Sequence, residues 1–173
     1  MNTAKNKLII AILSVLAITA SSCNFNKEEN KFIGEWSRSE TKRIPGSDLV
    51  PQGSFSLSME DNFIFENKGT GRLKQRTVTT YDFMTNLSNS YNLEFPLKWN
   101  LGEKNGRKYI YVERGAGEIS NIESQNKINT ESNARVILEA YSGKGDTLYY
   151  KFDGEQKLIY EYRDGSGATL VRK

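Results

Sequence analysis

The chain has 173 residues, with 24 lysine and arginine residues against 21 aspartate and glutamate residues, no histidine and one cysteine. Without histidine or a second cysteine, the Ser-His-Asp and Cys-His catalytic arrangements and the common zinc sites cannot be built. We therefore expect no enzyme activity, no metal and no other cofactor.

The first 22 residues predict a secretory signal peptide. Lys5 and Lys7 precede an apolar run from Leu8 to Ala20, and small residues and Cys23 follow at once. At 13 residues the run is shorter than the roughly 20 residues that a membrane-spanning helix requires. We expect this segment to be cleaved and not to anchor the chain.

The residues directly before the cysteine, Ala20, Ser21 and Ser22, resemble the lipobox of bacterial lipoproteins. The resemblance implies that Cys23 becomes the first residue of the mature protein, carries diacylglycerol and palmitate, and holds the protein on the outer membrane of the cell envelope. Several acyl chains together give stable anchoring, where one chain is marginal. The alternative is a soluble exported protein with a free or buried thiol.

Residues 23–31 predict a short polar tether. Within it, Lys27, Glu28 and Glu29 resemble the lysine-plus-acidic export signal of surface-exposed lipoproteins of the Bacteroidota. That resemblance implies display on the cell surface, and a periplasmic orientation is the alternative. Without residues 1–22 the chain has 22 basic and 21 acidic residues, a net charge of +1. We expect no nucleic-acid partner, because a nucleic-acid binder carries a basic patch or stripe.

Apolar and polar residues alternate through residues 32–173, which predicts β-strands. The clearest run, Leu93 to Leu101, would place five apolar side chains on one face of a strand. The polar triplet Glu60-Asp61-Asn62 predicts a turn between two such runs. The other predicted strands are 36–41, 55–59, 63–65, 77–83, 108–113, 135–141, 147–152, 158–162 and 168–172.

The connections between these runs predict hairpins. Asp153-Gly154 and Asp164-Gly165 tolerate the positive φ angles of tight turns. Closing an antiparallel meander into a barrel removes its exposed edges. We therefore predict an all-β fold, an antiparallel up-and-down barrel of about 8 to 10 strands, with a two-sheet sandwich as the alternative. Residues 115–133 are longer and more polar than an ordinary connection, and predict a lid, a short helix or a mobile loop.

The first strand opens with Gly34-Glu35-Trp36, which resembles the glycine-x-tryptophan signature of the lipocalin and wider calycin families. The resemblance implies a lipocalin-like barrel in which Trp36 closes one end and an arginine of the last strand packs over its ring. Arg172 is the better match to that arginine and Arg163 the second. The family implies a barrel that binds a small, largely apolar molecule, or a scaffold without a cavity, and it implies no reaction.

Aromatic residues of the predicted strands offer a surface for such a ligand, since tyrosine suits both apolar cavities and sugar faces. We predict a membrane-anchored, non-catalytic binding module for a small apolar or glycan ligand. The alternative is a structural or inhibitor lipoprotein whose filled barrel engages protein partners. A hydrolase with two carboxylates among Glu94, Glu113, Glu139 and Glu161 ranks third. The predicted ligand contacts are Phe95, Leu97, Trp99, Tyr111, Leu138 and Tyr150.

Overall fold

A computed structural model describes residues 27–45, 54–82, 88–124 and 127–173. The predicted signal peptide and Cys23 lie outside the described residues. Lys27, Glu28 and Glu29 fall on a short helix, α1, which includes residues 27–32. Across the described ranges, no helix combines the length and the apolar character needed to cross a membrane.

Residues 34–173 form one compact unit, in which the described residues build nine strands and one long helix. The strands are β1 (Gly34–Ile44), β2 (Phe55–Glu66), β3 (Thr70–Tyr81), β4 (Ser88–Lys104), β5 (Arg107–Arg114), β6 (Glu118–Glu123), β7 (Gly145–Asp153), β8 (Lys157–Glu161) and β9 (Gly167–Arg172). The helix, α2 (Lys127–Tyr141), connects β6 to β7.

Every strand pairing is antiparallel, and β9 pairs with β1, so eight of the strands form a closed barrel. The ninth, β6, pairs with β4 outside this ring. The structure therefore confirms the predicted all-β, antiparallel up-and-down barrel, and it is compatible with a lipocalin-like fold.

The alternation predicted for β4 is confirmed, because Leu93, Phe95, Leu97 and Trp99 are all buried on its inner face. The turn predicted at Glu60-Asp61-Asn62 is wrong. Strand β2 runs through this triplet without a break, opposite both β1 and β3. Asp61 is buried inside the barrel, where Arg38 and Gln75 bind its carboxylate. An aspartate within a polar triplet can thus remain in a strand when neighbouring strands supply partners for its carboxylate.

The strand predicted at residues 135–141 is also wrong, because these residues belong to α2. Among the helix side chains that the structure describes, those of residues 129–141, Thr130 and Ala134 are buried and Leu138 is half-buried one turn later, which is the four-residue spacing of a helix face. Residues 115–133 contain β6 and the first half of α2. Of the predicted lid, short helix or mobile loop, the structure therefore has a helix, and a strand precedes it.

The two ends of the barrel differ in construction. Strands β1 and β9 pair only at Trp36 and Ser37, whereas β1 pairs with β2 along its whole length. Strands β5 and β6 lie in succession along one edge of β4, and Pro96 faces the break between them, where it accepts a hydrogen bond from Gly115 N at 2.8 Å. We call the region around Trp36 the closed end. The extended end consists of β6 and the parts of β1 to β4 that continue past the β1–β9 pairing, residues 38–44, 55–61, 75–81 and 88–93.

Candidate functional site

Aromatic and aliphatic side chains pack tightly inside the closed end. The rings of Trp36 and Phe152 have centroids 6.0 Å apart, and Phe65 meets Trp99 edge-on at 5.5 Å. The indole Nε1 of Trp99 donates to the carbonyl of Thr70 at 2.7 Å. The closed end is therefore a packed core, which stabilises the barrel and supports the strands that continue into the extended end.

Three of the six predicted ligand contacts belong to the buried inner wall. Phe95, Leu97 and Trp99 are only 1%, 3% and 4% exposed. Tyr150 also faces inward from β7, with its ring 5.8 Å from that of Phe152. Their packing is that of core residues, so a ligand that touches them would have to enter from the extended end.

The remaining two predicted contacts, Leu138 and Tyr111, lie on opposite sides of the barrel wall. Leu138 reaches the wall from α2, and Gly117 lies between it and Phe95: a Cβ on Gly117 would come within 2.9 Å of Leu138 and 2.5 Å of Phe95. Tyr111 alternates with the buried Ile110 and Val112, so it points to the outside of the barrel. The structure thus brings five of the six residues to the inner side and places Tyr111 on the outer face.

The residues expected to close the barrel meet at the first and last strands. Trp36 is fully buried and pairs in register with Arg172, whose Cζ atom lies 4.5 Å from the centroid of the Trp36 ring. Gly34 has φ +127°, and a Cβ there would lie 3.8 Å from Nη1 of Arg172. Arg163, the second match, lies in the exposed turn before β9.

A polar cluster that was not predicted from the sequence lies on the inner wall of the extended end. Nε of Arg38 donates to Oδ2 of Asp61 at 2.7 Å, and Nε2 of Gln75 donates to Oδ1 of the same carboxylate at 2.8 Å. The Asp61 side chain is 5% exposed, whereas that of Arg38 is 26% exposed. We call Arg38, Asp61 and Gln75 the inner polar cluster.

Two tyrosines of the opposite wall extend this cluster. The Cζ atom of Arg38 lies 6.0 Å from the ring centroid of Tyr160, and the rings of Tyr160 and Tyr162 meet edge-on at 5.6 Å. Burial raises the pKa of Tyr160 well above its ordinary value, and burial followed by the nearby Asp146 raises the pKa of Tyr162. Both phenols therefore stay neutral at physiological pH and provide polar hydroxyl groups inside the barrel.

The neighbours of Arg38 also favour its charged form. Burial opposes the charged form, but Asp61 and then Tyr160 outweigh that effect, and the pKa of Arg38 is raised. Among the described residues, none accepts a hydrogen bond from Nη1 or Nη2 of Arg38. A guanidinium carries five N–H donors, so Arg38 keeps donors for another acceptor.

A buried arginine of β5 holds the end of α2 against the barrel. Arg114 donates from Nη2 to Oδ2 of Asp146 at 2.6 Å and from Nε to the carbonyl of Tyr141 at 3.3 Å. Its Cζ atom also lies 5.1 Å from the Tyr141 ring centroid. These contacts fix the helix terminus, since a carbonyl in the last turn of a helix has no partner within the helix.

One signal in the sequence could have revealed the inner polar cluster. Arg38 follows Trp36 by two residues, and Asp61 precedes Phe63 by two. Because side chains two residues apart share a face of a strand, an inward tryptophan or phenylalanine implies an inward arginine or aspartate beside it. Two opposite charges on neighbouring inward faces predict a buried ion pair.

The described part of the chain contains no group of three or more acidic or thiol side chains placed to hold a metal ion. No protein-family model matches this chain, and no curated protein is significantly similar to it in sequence.

Proposed function

We propose that this chain is a lipid-anchored envelope lipoprotein that serves as a non-catalytic binding module and takes a small ligand into the extended end of its barrel. The observation that carries the proposal is the inward-facing, partly exposed Arg38, whose partner carboxylate on Asp61 is buried. The closed end supplies a rigid core, and the inner polar cluster supplies a polar group on the wall above it.

A stable barrel does not require an ion pair at this position. Removing two charges from water is costly, and well-packed apolar residues are often as stabilising as a buried ion pair. Arg38 nevertheless lies inside, bound to Asp61 through Nε alone among the described residues. Its remaining donors suit an acceptor atom of a ligand, which is the type of polar contact that fixes orientation in a mostly apolar pocket.

The charges of the cluster limit the chemistry of the ligand. Asp61 neutralises Arg38, so an anionic ligand would meet the carboxylate as well as the guanidinium. An uncharged carbonyl or hydroxyl oxygen can accept from Arg38 without that repulsion. Tyr91, Leu93 and Tyr160 provide buried apolar and aromatic surface on the inner wall. We therefore favour a small apolar molecule, or a sugar, that carries an uncharged oxygen acceptor.

The proposed anchor and location are supported by the sequence. The residues before Cys23 are similar to the lipobox of bacterial lipoproteins, and the Lys27-Glu28-Glu29 triplet is similar to the export signal of surface-exposed lipoproteins of the Bacteroidota. Changing Cys23 to alanine is expected to move the protein from the membrane fraction to the soluble fraction and to abolish labelling by palmitate. Ser39→Ala, at an exposed residue outside the lipobox-like motif, is a suitable control, and membrane association of the Cys23 variant would contradict the anchor.

The ligand proposal is tested by native mass spectrometry of the mature protein released from the membranes of its own cells. We expect an added mass on the protein that is lost from the Arg38→Met/Asp61→Leu double variant, which removes both charges together. Arg76→Met, on the adjacent outer face, controls for the loss of an arginine. A bare mass for the unchanged protein, or equal occupancy in the double variant, would argue against this site.

The second candidate function is a protein-interaction scaffold. It is favoured by the packed closed end, where the predicted contacts Leu97 and Trp99 are already buried by the protein itself. In that case the barrel would be a support, and recognition would use its outer surfaces or edges.

A further inference from the structure

Strand β6 has one edge that is not paired with another strand of the described chain. It pairs with β4 alone, whereas β5, which precedes it along the same edge of β4, pairs with β7 on its other side. Alternate residues of such a strand direct their N–H and C=O groups away from the partner. A strand added at this edge would therefore lie beside β6 in the same way that β7 lies beside β5.

A β-bulge at Ser120 sets the faces of this edge strand. Ile119 lies opposite Leu93 and Ile122 opposite Tyr91, while Ser120 has no opposite residue and donates from Oγ to the carbonyl of Asn92 at 3.5 Å. Paired residues share a face of the sheet, so both isoleucines of β6 face inward. Glu118 and Glu123, opposite Glu94 and Ser90, both face outward.

The free edge borders a groove of about 570 Å³ between β6 and α2. Its floor contains Ile119, Ile122 and Leu138, and its far wall carries Glu131 and Arg135, which form an ion pair at 2.6 Å. This volume lies within the range of pockets that accept ligands. The groove thus combines unpaired backbone, an apolar floor and charged rims.

The charges distinguish between possible occupants of the groove. Glu118 is exposed and forms no ion pair with any described residue, and Glu123 is exposed at the other end of the strand. The sequence of β6, EISNIE, begins and ends with glutamate. In the antiparallel register that overlaps the six residues of two copies completely, Glu118 of each copy would lie opposite Glu123 of the other, and like charges directly opposite each other are destabilising. A second copy of this chain is therefore disfavoured.

We infer that β6 is a docking edge for an extended, basic segment of a partner protein, which adds a strand to the sheet. Its outward side chains would be lysine or arginine, opposite Glu118 and Glu123, and its inward side chains would be apolar, over Ile119 and Ile122. Main-chain hydrogen bonds would supply affinity and the alternating side chains specificity, as in other strand-addition complexes. This inference does not depend on the ligand proposed for the barrel interior.

The test uses the mature protein and short labelled peptides that alternate valine with either lysine or glutamate. Fluorescence anisotropy is expected to show binding of the lysine peptide, and hydrogen exchange is expected to slow at amides of β6. The Glu118→Lys/Glu123→Lys variant should bind the lysine peptide about tenfold more weakly and gain affinity for the glutamate peptide, because two favourable cross-strand charge pairs become unfavourable.

The matched control is Asp153→Lys/Glu155→Lys, which makes the same change in net charge at the distant β7–β8 turn. It should bind the lysine peptide as the unchanged protein does. The inference is overturned if the lysine peptide does not bind, if both double variants bind it equally, or if exchange slows at another strand. Dimerisation through β6 in the absence of peptide would overturn it too, since it would identify a second copy as the occupant.

Discussion

Arg172 lies over the indole of Trp36, with 4.5 Å between its Cζ atom and the ring centroid, at the place where β9 pairs with β1. These two strands share only two paired positions, Trp36 with Arg172 and Ser37 with Val171. The side-chain contact therefore reinforces the shortest seam of the barrel. A guanidinium on an indole face contributes roughly 0.5 to 2 kcal/mol.

We predict that Arg172→Leu lowers the free energy of unfolding by about 1 to 2 kcal/mol, and that Trp36→Ala lowers it by about 3 to 5 kcal/mol. Urea unfolding measures both effects, and a double-mutant cycle with Trp36→Leu isolates the contact itself. Arg163→Leu, in the exposed turn before β9, is the control and should change stability little. Additive effects of the Trp36 and Arg172 changes would show that the stacking contributes nothing.

In the inner polar cluster, removing one charge is expected to lower the free energy of unfolding much more than removing both charges together. Arg38→Met leaves the Asp61 carboxylate buried without its cation, and we expect a loss of at least about 2 kcal/mol. Arg38→Met/Asp61→Leu removes both charges and should be clearly more stable than the single variant. Thermal or urea unfolding measures this difference, with Arg76→Met on the outer face as control. If the double variant were the less stable of the two, the charges would not be coupled through this ion pair.

Sequence alternation was sufficient to predict the barrel because each strand buries one face. In β4, Leu93, Phe95, Leu97 and Trp99 all follow the two-residue period. The same reasoning failed at residues 135–141, where Val136 and Ile137 favour a strand locally. Tertiary packing decided that case, since α2 packs against β4 and β6, with Ala134 buried and Leu138 half-buried at the four-residue spacing of a helix face.

The candidate site was harder to predict than the fold. Asp61 lies in a polar triplet that is typical of a turn, and only the pairing of β1, β2 and β3 brings Arg38 and Gln75 to it. Tyr111 was expected to contact ligand because it is aromatic, but strand parity directs it outward, beside the inward Ile110 and Val112. Residue type alone suggested candidates, and the register between strands determines which of them meet.

Glycine at position 145 allows an outer tyrosine to lie flat on the barrel. A Cβ on Gly145 would come within 2.1 Å of the hydroxyl oxygen of Tyr111. We predict that Gly145→Ala destabilises the protein by about 1 to 2 kcal/mol, because the ring must leave its position. In a Tyr111→Ala background the same change should cost almost nothing, since the clashing atoms are absent. An equal cost in both backgrounds, measured by urea unfolding, would locate the effect in the backbone and not in this contact.

The buried tyrosines predict how stability changes at high pH. The pKa of Tyr160 is raised, chiefly by burial and then by Tyr162, above the value of 10.0 that an exposed tyrosine has. A group whose pKa is raised in the folded state binds its proton more tightly there than in the unfolded state. The contribution of Tyr160 to the stability of the fold is therefore complete below pH 10 and is lost as the pH rises above that value. We expect the free energy of unfolding to fall in this range, and Tyr160→Phe to make the fall shallower. Tyr149→Phe, at an outer-face residue, is the control. Equal pH profiles for the unchanged protein and the Tyr160 variant would show that Tyr160 does not titrate differently in the folded and unfolded states.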